Sequence, residues 1–153
     1  MVITDSSGYV KAGVGMKSRQ FLHKLHEKQS VWKQYPQYKK AVLPGRCLPE
    51  ITARIGAAAV EGIQRCVVSY FLNDWKDFAS TRSRFHDNVS RFGDALHQHC
   101  RTSFVFVGGC ASMFKLPPAY DDAVNFVIET LRDMGIACNN APETHQLPLC
   151  NDG

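Results

Sequence analysis

Ser6, Gly45 and Asn73 are the residues of this chain whose types and positions point to chemistry. Each follows a short apolar run. The three blocks are Val2-Ile3-Thr4-Asp5-Ser6-Ser7, Val42-Leu43-Pro44-Gly45 and Val67-Val68-Ser69-Tyr70-Phe71-Leu72-Asn73-Asp74. Such a run reads as a β-strand opening into a loop, and in an open α/β sheet the loops at the carboxyl ends of neighbouring strands converge on one crevice. A serine hydroxyl is a poor nucleophile until a base takes its proton and donors stabilise the oxyanion that forms. The amides after Ser6, the flexible backbone at Gly45 and the two donors of the Asn73 side chain could serve as those donors. The chemistry would be acyl transfer. Each residue also has a plain structural reading. A serine here can cap or turn the chain, Pro44-Gly45 is ordinary turn chemistry, and Asn73-Asp74 can simply end a strand.

These residues need a scaffold, and the hydrophobic pattern supplies one. A first strand covers residues 2–4, and a glycine-marked loop leads to a helix over about 18–29, with Phe21, Leu22 and Leu25 on one face. A short second strand spans about 41–43 and stops at Pro44-Gly45. The next helix runs over about 48–63, with Pro49 in its first turn and Ile51, Ile55, Ala58, Ala59 and Ile63 at helical spacing. The third strand, about 66–72, is nearly continuous in apolar residues, the pattern of an interior strand buried on both faces. A polar stretch over 76–84 precedes a helix at about 85–99, followed by a strand at 103–107 that ends at Gly108-Gly109. A last helix covers about 120–134, with Val124, Phe126, Val127 and Leu131 as its apolar stripe and Gly135 at its end, and a weak fifth strand begins near Ile136. The alternation predicts one doubly wound α/β domain with right-handed crossovers, with no internal repeat and no linker long enough to separate two domains.

With 153 residues, 44% of them hydrophobic and 21% charged, the chain is of a size and composition that fold around one core. No stretch reaches the roughly 18 apolar residues of a membrane span. The start of the chain lacks the pattern of a signal peptide, so the expectation is a cytoplasmic protein or a fragment whose leader has been lost. The net charge of +4 is densest from Lys11 to Lys40, where Trp32, Tyr35 and Tyr38 are interleaved. A solvated helix face and loop account for that stretch, so a nucleic-acid partner is not expected. No two of the six cysteines, Cys47, Cys66, Cys100, Cys110, Cys138 and Cys150, show a C-x-x-C spacing, and reduced thiols are expected. His97 and His99 would point apart on a helix, and His23 with His26 has no evident third ligand, so no metal site is expected. Gly108-Gly109-Cys110 lacks the pattern of a phosphate or dinucleotide loop, and no cofactor is expected.

Order, spacing and local sequence of the three blocks resemble the SGNH hydrolases, also called GDSL-type esterases or lipases. Thr4-Asp5-Ser6 stands where that family has Gly-Asp-Ser, Gly45 matches the glycine of its second block, and Phe71-Leu72-Asn73-Asp74 stands where it has Gly-x-Asn-Asp. The closing Asn151-Asp152-Gly153 looks like the start of the family's Asp-x-x-His block, whose histidine would lie two positions further on. The resemblance covers nearly the whole chain and implies a flavodoxin-like three-layer α/β/α sandwich with a mostly parallel sheet of four to five strands. It implies Ser6 as nucleophile, and an oxyanion hole from Gly45, Asn73 and the Ser6 amide. Asp152 would orient the histidine, with Asp5 and Asp74 in support. The substrate class implied is a small-molecule acyl ester, without a cofactor. Thr4 and Phe71 depart from the family's glycines. A chain without the catalytic histidine is either a truncated hydrolase or a relative that keeps the crevice as a ligand-binding or interaction module. His145 is the only C-terminal histidine of the sequence, and its spacing from Asp152 does not match the block.

Overall fold

Burial alternates along the two longest strands, and this alternation organises the domain. In β3 (Arg65–Tyr70) Cys66, Val68 and Tyr70 are buried, and in β4 (Thr102–Val107) Val105 and Val107 are. The computed structural model describes residues 1–5, 39–43, 45–108 and 116–140. Within these, β1 (Val2–Thr4), β2 (Lys40–Val42) and β5 (Cys138–Asn140) complete the sheet. The helices are α1 (Leu48–Val60), α2 (Asp77–Ser80), α3 (Arg82–His99) and α4 (Pro118–Asp133).

The sheet has five strands in the order β2-β1-β3-β4-β5, and every pairing is parallel. This is the flavodoxin-like order of a three-layer α/β sandwich, in the α/β class that the alternation of elements predicts and of the type that the resemblance implies. Ile3 is the register partner of both Ala41 and Val68, Val68 pairs with Val105, and Val105 with Cys138. These residues share one face and join a single buried cluster. Leu48, Ile51 and Ile55 of α1 belong to it, as do Phe85, Val89, Phe92 and Leu96 of α3 and Tyr120, Val127 and Leu131 of α4. Fully burying such side chains contributes on the order of 1.5–3 kcal/mol each. The opposite face carries Val67, Phe104 and Phe106, all half-buried, with the two phenylalanine rings 4.7 Å apart.

Helix boundaries show where local chemistry overrode the hydrophobic count. At the start of α1 the Glu50 carboxylate accepts the Cys47 N–H at 3.2 Å, and Pro49 occupies the first turn. The helix ends at Val60, short of the expected 63, because the Gly62 N–H turns back to the Ala59 carbonyl at 3.0 Å. The polar stretch ahead of α3 is itself helical. Thr81 N–H donates to the Asp77 carbonyl at 2.9 Å and Phe85 N–H to the Thr81 carbonyl at 3.0 Å, so α3 begins at Arg82 rather than near residue 85. Phe78 is the residue that draws this segment in. Its ring lies 5.7 Å from Phe85 and 5.1 Å from Phe126, with the Arg82 guanidinium 4.2 Å above it. Polar neighbours then stay in solvent without opposing the helix. The fifth strand starts at Cys138, two residues beyond the expected Ile136. None of the described helices is long and apolar enough to cross a membrane.

Candidate functional site

The strand order reverses at β1, which pairs with β2 on one side and β3 on the other. In open α/β sheets such a switch point opens a crevice beyond the carboxyl ends of the strands. Asp5 leaves β1 into this position and is fully buried. One oxygen of its carboxylate, Oδ2, accepts the backbone N–H of Phe71 at 2.9 Å and the side-chain Nδ2 of Asn73 at 3.0 Å. The first and third blocks are therefore held together by one carboxylate oxygen. The same Asn73 amide nitrogen also donates to the Arg46 carbonyl at 2.8 Å, beside Gly45. All three strand-end segments that the sequence singled out thus meet around the Asn73 side chain. Its two N–H groups are directed to Asp5 and Arg46, so contact with an oxyanion requires one of these bonds to be exchanged.

Asp74, the other carboxylate of the third block, is also buried. Its Oδ1 accepts the Tyr70 hydroxyl, and its Oδ2 accepts the Leu48 N–H at the start of α1, at 3.2 Å. Burial raises the Asp74 carboxyl above its ordinary range, and the hydrogen bonds from Tyr70 and Leu48 oppose that rise. Burial, reinforced by the Asp74 charge, pushes the Tyr70 phenol well above its ordinary value. Cys47 lies close by, and burial followed by the charges of Asp74 and Glu50 raises its thiol to about 11. A thiol so raised is a poor nucleophile at neutral pH. Asp74 therefore anchors the start of α1, and with it the loop that carries Gly45.

Phe71 and Leu72 form the turn that follows β3. Leu72 takes φ +70°, and it is the non-glycine residue with a positive φ among the described residues. A left-handed conformation costs a side-chain-bearing residue roughly 1–2 kcal/mol. Burial of the Leu72 side chain in the core offsets that cost. Phe71 does not need a glycine's backbone freedom. Its ring stacks on Tyr120 at 5.2 Å, its carbonyl accepts the Tyr120 hydroxyl, and Trp75 meets Tyr120 edge-on at 6.0 Å. Gly45 is exposed and has φ +68°, a conformation that suits glycine.

Ser6, Asp152 and His145 lie outside the described residues, so of the expected site only Asp5, Gly45, Asn73 and Asp74 are described. Sequence reasoning missed Tyr70, Arg46 and Tyr120. Tyr70 and Tyr120 read as ordinary apolar positions of a strand and a helix. Arg46 contributes through its backbone carbonyl, which carries no side-chain signal. His97 contacts the Met134 carbonyl through Nε2 at 2.6 Å. Among the described residues no three His, Cys, Asp or Glu side chains gather as a metal site would require. No family model matches the chain, and no curated protein or solved structure matches it at a significant level.

Proposed function

We propose that this domain is a serine esterase or acyl hydrolase of the SGNH type, acting on a small acyl ester. The observation that carries the reading is the 3.0 Å hydrogen bond between Asp5 and Asn73. It joins the residue immediately before the proposed nucleophile, Ser6, to the proposed oxyanion donor. In this mechanism Ser6 Oγ attacks the ester carbonyl carbon, a base takes its proton, and the oxyanion is met by the Ser6 amide, the Gly45 backbone and Asn73 Nδ2. Collapse expels the alcohol and leaves an acyl-serine, which water then hydrolyses. The histidine base, oriented by Asp152, belongs to this proposal. The left-handed Leu72 supports it as well, since strained backbone concentrates at functional sites.

The second reading is a binding module that keeps the crevice without the chemistry. The two bonds from the Asn73 amide to Asp5 and Arg46 favour it, because the donor is already satisfied within the protein. Labelling with a fluorophosphonate serine probe, read by intact mass and peptide mapping, separates the two. The hydrolase reading expects one adduct on Ser6 that disappears in Ser6→Ala. A folded chain that takes no adduct, both as it stands and when extended past Gly153 through the Asp-x-x-His histidine, sinks it and leaves the binding module.

A further inference from the structure

The end of the sheet far from the crevice holds a pocket of about 280 Å³, built where α3 and α4 finish and β4 begins. After α3 stops at His99, the Arg101 and Thr102 N–H groups donate to the Gln64 carbonyl at 2.7 and 3.3 Å, which turns the chain into β4. Past the end of α4, Gly135 takes φ +80°, and the Ile136 N–H returns to the Leu131 carbonyl at 2.9 Å. The two helix ends are fastened to each other. His97 of α3 meets the Met134 carbonyl at 2.6 Å, and since a carbonyl only accepts, Nε2 carries the proton. The space between these ends is lined by Leu96 and Ile136, both buried, and by the polar side chains of His97, Arg101, Thr102 and Ser103. No described carboxylate lines it, and none of the ion pairs among the described residues engages Arg101. Arg65, the exposed first residue of β3, pairs in register with Thr102 and adds a second positive charge beside the pocket.

From these observations we propose that the pocket binds a small monocarboxylate with a short hydrocarbon body. The guanidinium of Arg101 presents its N–H donors in a planar fork that matches the two oxygens of a carboxylate. The Thr102 and Ser103 hydroxyls add donors beside it. Leu96 and Ile136 give the rest of the ligand an apolar floor. The helices decide how much negative charge the site tolerates. α3 and α4 both present their carbonyl ends here, and each such end carries roughly half a negative charge. Arg101 and Arg65 offset that field for a ligand of single charge, whereas a phosphate monoester brings about 1.5 to 2 negative charges. A neutral amide of the same shape leaves the guanidinium without its partner. The volume sets the size, since it falls just under the roughly 300–1,000 Å³ of pockets for drug-sized ligands, and a molecule of a few carbons fits. The pocket lies at the opposite end of the strands from Asp5 and Asn73, so the proposal is independent of the esterase reading.

The full chain, isotopically labelled, is titrated with sodium butyrate and followed through its amide NMR spectrum. Butyramide serves as the neutral counterpart, butyl phosphate as the more highly charged one, and sodium chloride at matched ionic strength as the blank. Butyrate should give saturable shifts centred on Arg101, Ser103 and Ile136. Acetate, which is shorter and covers less of the apolar floor, should bind several-fold more weakly. Arg101→Gln changes an exposed side chain, leaves that floor intact and should weaken butyrate by about tenfold, the loss of one charged hydrogen-bonding partner. Arg65→Gln, beside the pocket but outside its lining, should weaken it less. The wild-type titration needs no variant to fold. Shifts that butyramide or chloride reproduces, shifts centred on Gly45 and Asn73 in the crevice, tighter binding of butyl phosphate, an affinity unchanged in Arg101→Gln, or no saturable shift with butyrate overturns the proposal.

Discussion

Asp5 and Asn73 stand 68 residues apart in sequence, yet the carboxylate of one accepts the amide of the other at 3.0 Å. The bond crosses from the end of β1 to the loop after β3, which are neighbours only because the two strands pair in parallel register. The Phe71 N–H reaches the same oxygen at 2.9 Å, so a single carboxylate sets the shape of the loop that carries Asn73.

Replacing Asp5 with alanine removes the acceptor from both donors at a buried position. Buried donors left without a partner cost about 1–3 kcal/mol each. Asp5→Ala should lower unfolding stability in urea by about 2–4 kcal/mol, taking one donor as partly re-solvated. Asn73→Ala should cost less, since it removes the donor together with the bond. If the chain is an esterase, Asn73→Ala should also reduce kcat by about 100- to 1,000-fold.

The Asp74–Tyr70 pair predicts two pH-dependent losses of stability. Asp74 holds its proton in the folded protein at pH values where the unfolded chain, with an ordinary value of 3.8, has released it. Its contribution is full below 3.8 and is lost as pH rises through the raised folded value. Tyr70 behaves likewise at the alkaline end, where its contribution is lost as pH rises above 10. Urea midpoints measured across both windows, compared with Asp74→Asn and Tyr70→Phe, should show the acid slope reduced in the first variant and the alkaline slope in the second.

Gly45 and Gly108 both adopt left-handed backbone, at φ +68° and +90°, but their surroundings differ. Among the described residues an added Cβ at Gly45 meets nothing within 4 Å, whereas at Gly108 it meets Asn140 Oδ1 at 3.0 Å. Gly45→Ala should therefore cost about 1–2 kcal/mol, from backbone conformation alone. Gly108→Ala should cost more, and part of the excess should disappear in an Asn140→Ala background, a coupling that a double-mutant cycle measures by denaturant unfolding.

Tyr120 touches the site in two separable ways. Tyr120→Phe deletes the hydroxyl that donates to the Phe71 carbonyl and keeps the ring against Phe71 and Trp75, so about 0.5–1.5 kcal/mol should be lost. Tyr120→Ala also empties a buried position and should lose about 3–5 kcal/mol. Equal losses in thermal or urea unfolding would mean that the hydroxyl, not the ring, holds the turn.

Strand runs such as Cys66–Tyr70 and Ser103–Val107 were legible because burial on a parallel sheet demands apolar, β-branched and aromatic residues in sequence order. The helical turn around Phe78 was not, because polar residues dominate it and one aromatic contact decides its place. At the site, Asp5, Gly45, Asn73 and Asp74 stood out as polar or small residues at strand ends. Tyr70 and Tyr120 did not, since a buried tyrosine reads as core until its hydroxyl is seen to find a partner.

The sequence by itself determined the alternation of strands and helices, the α/β class, and which loops carry polar residues at strand ends. Those features follow from local periodicity and side-chain chemistry, which need no knowledge of distant contacts. Only the tertiary structure decided the order β2-β1-β3-β4-β5 and the sharing of one Asp5 oxygen between Phe71 and Asn73. The left-handed turn at Leu72 was decided there too. Each depends on strands paired across tens of residues, and a hydrogen bond over that separation leaves no periodic mark in the chain.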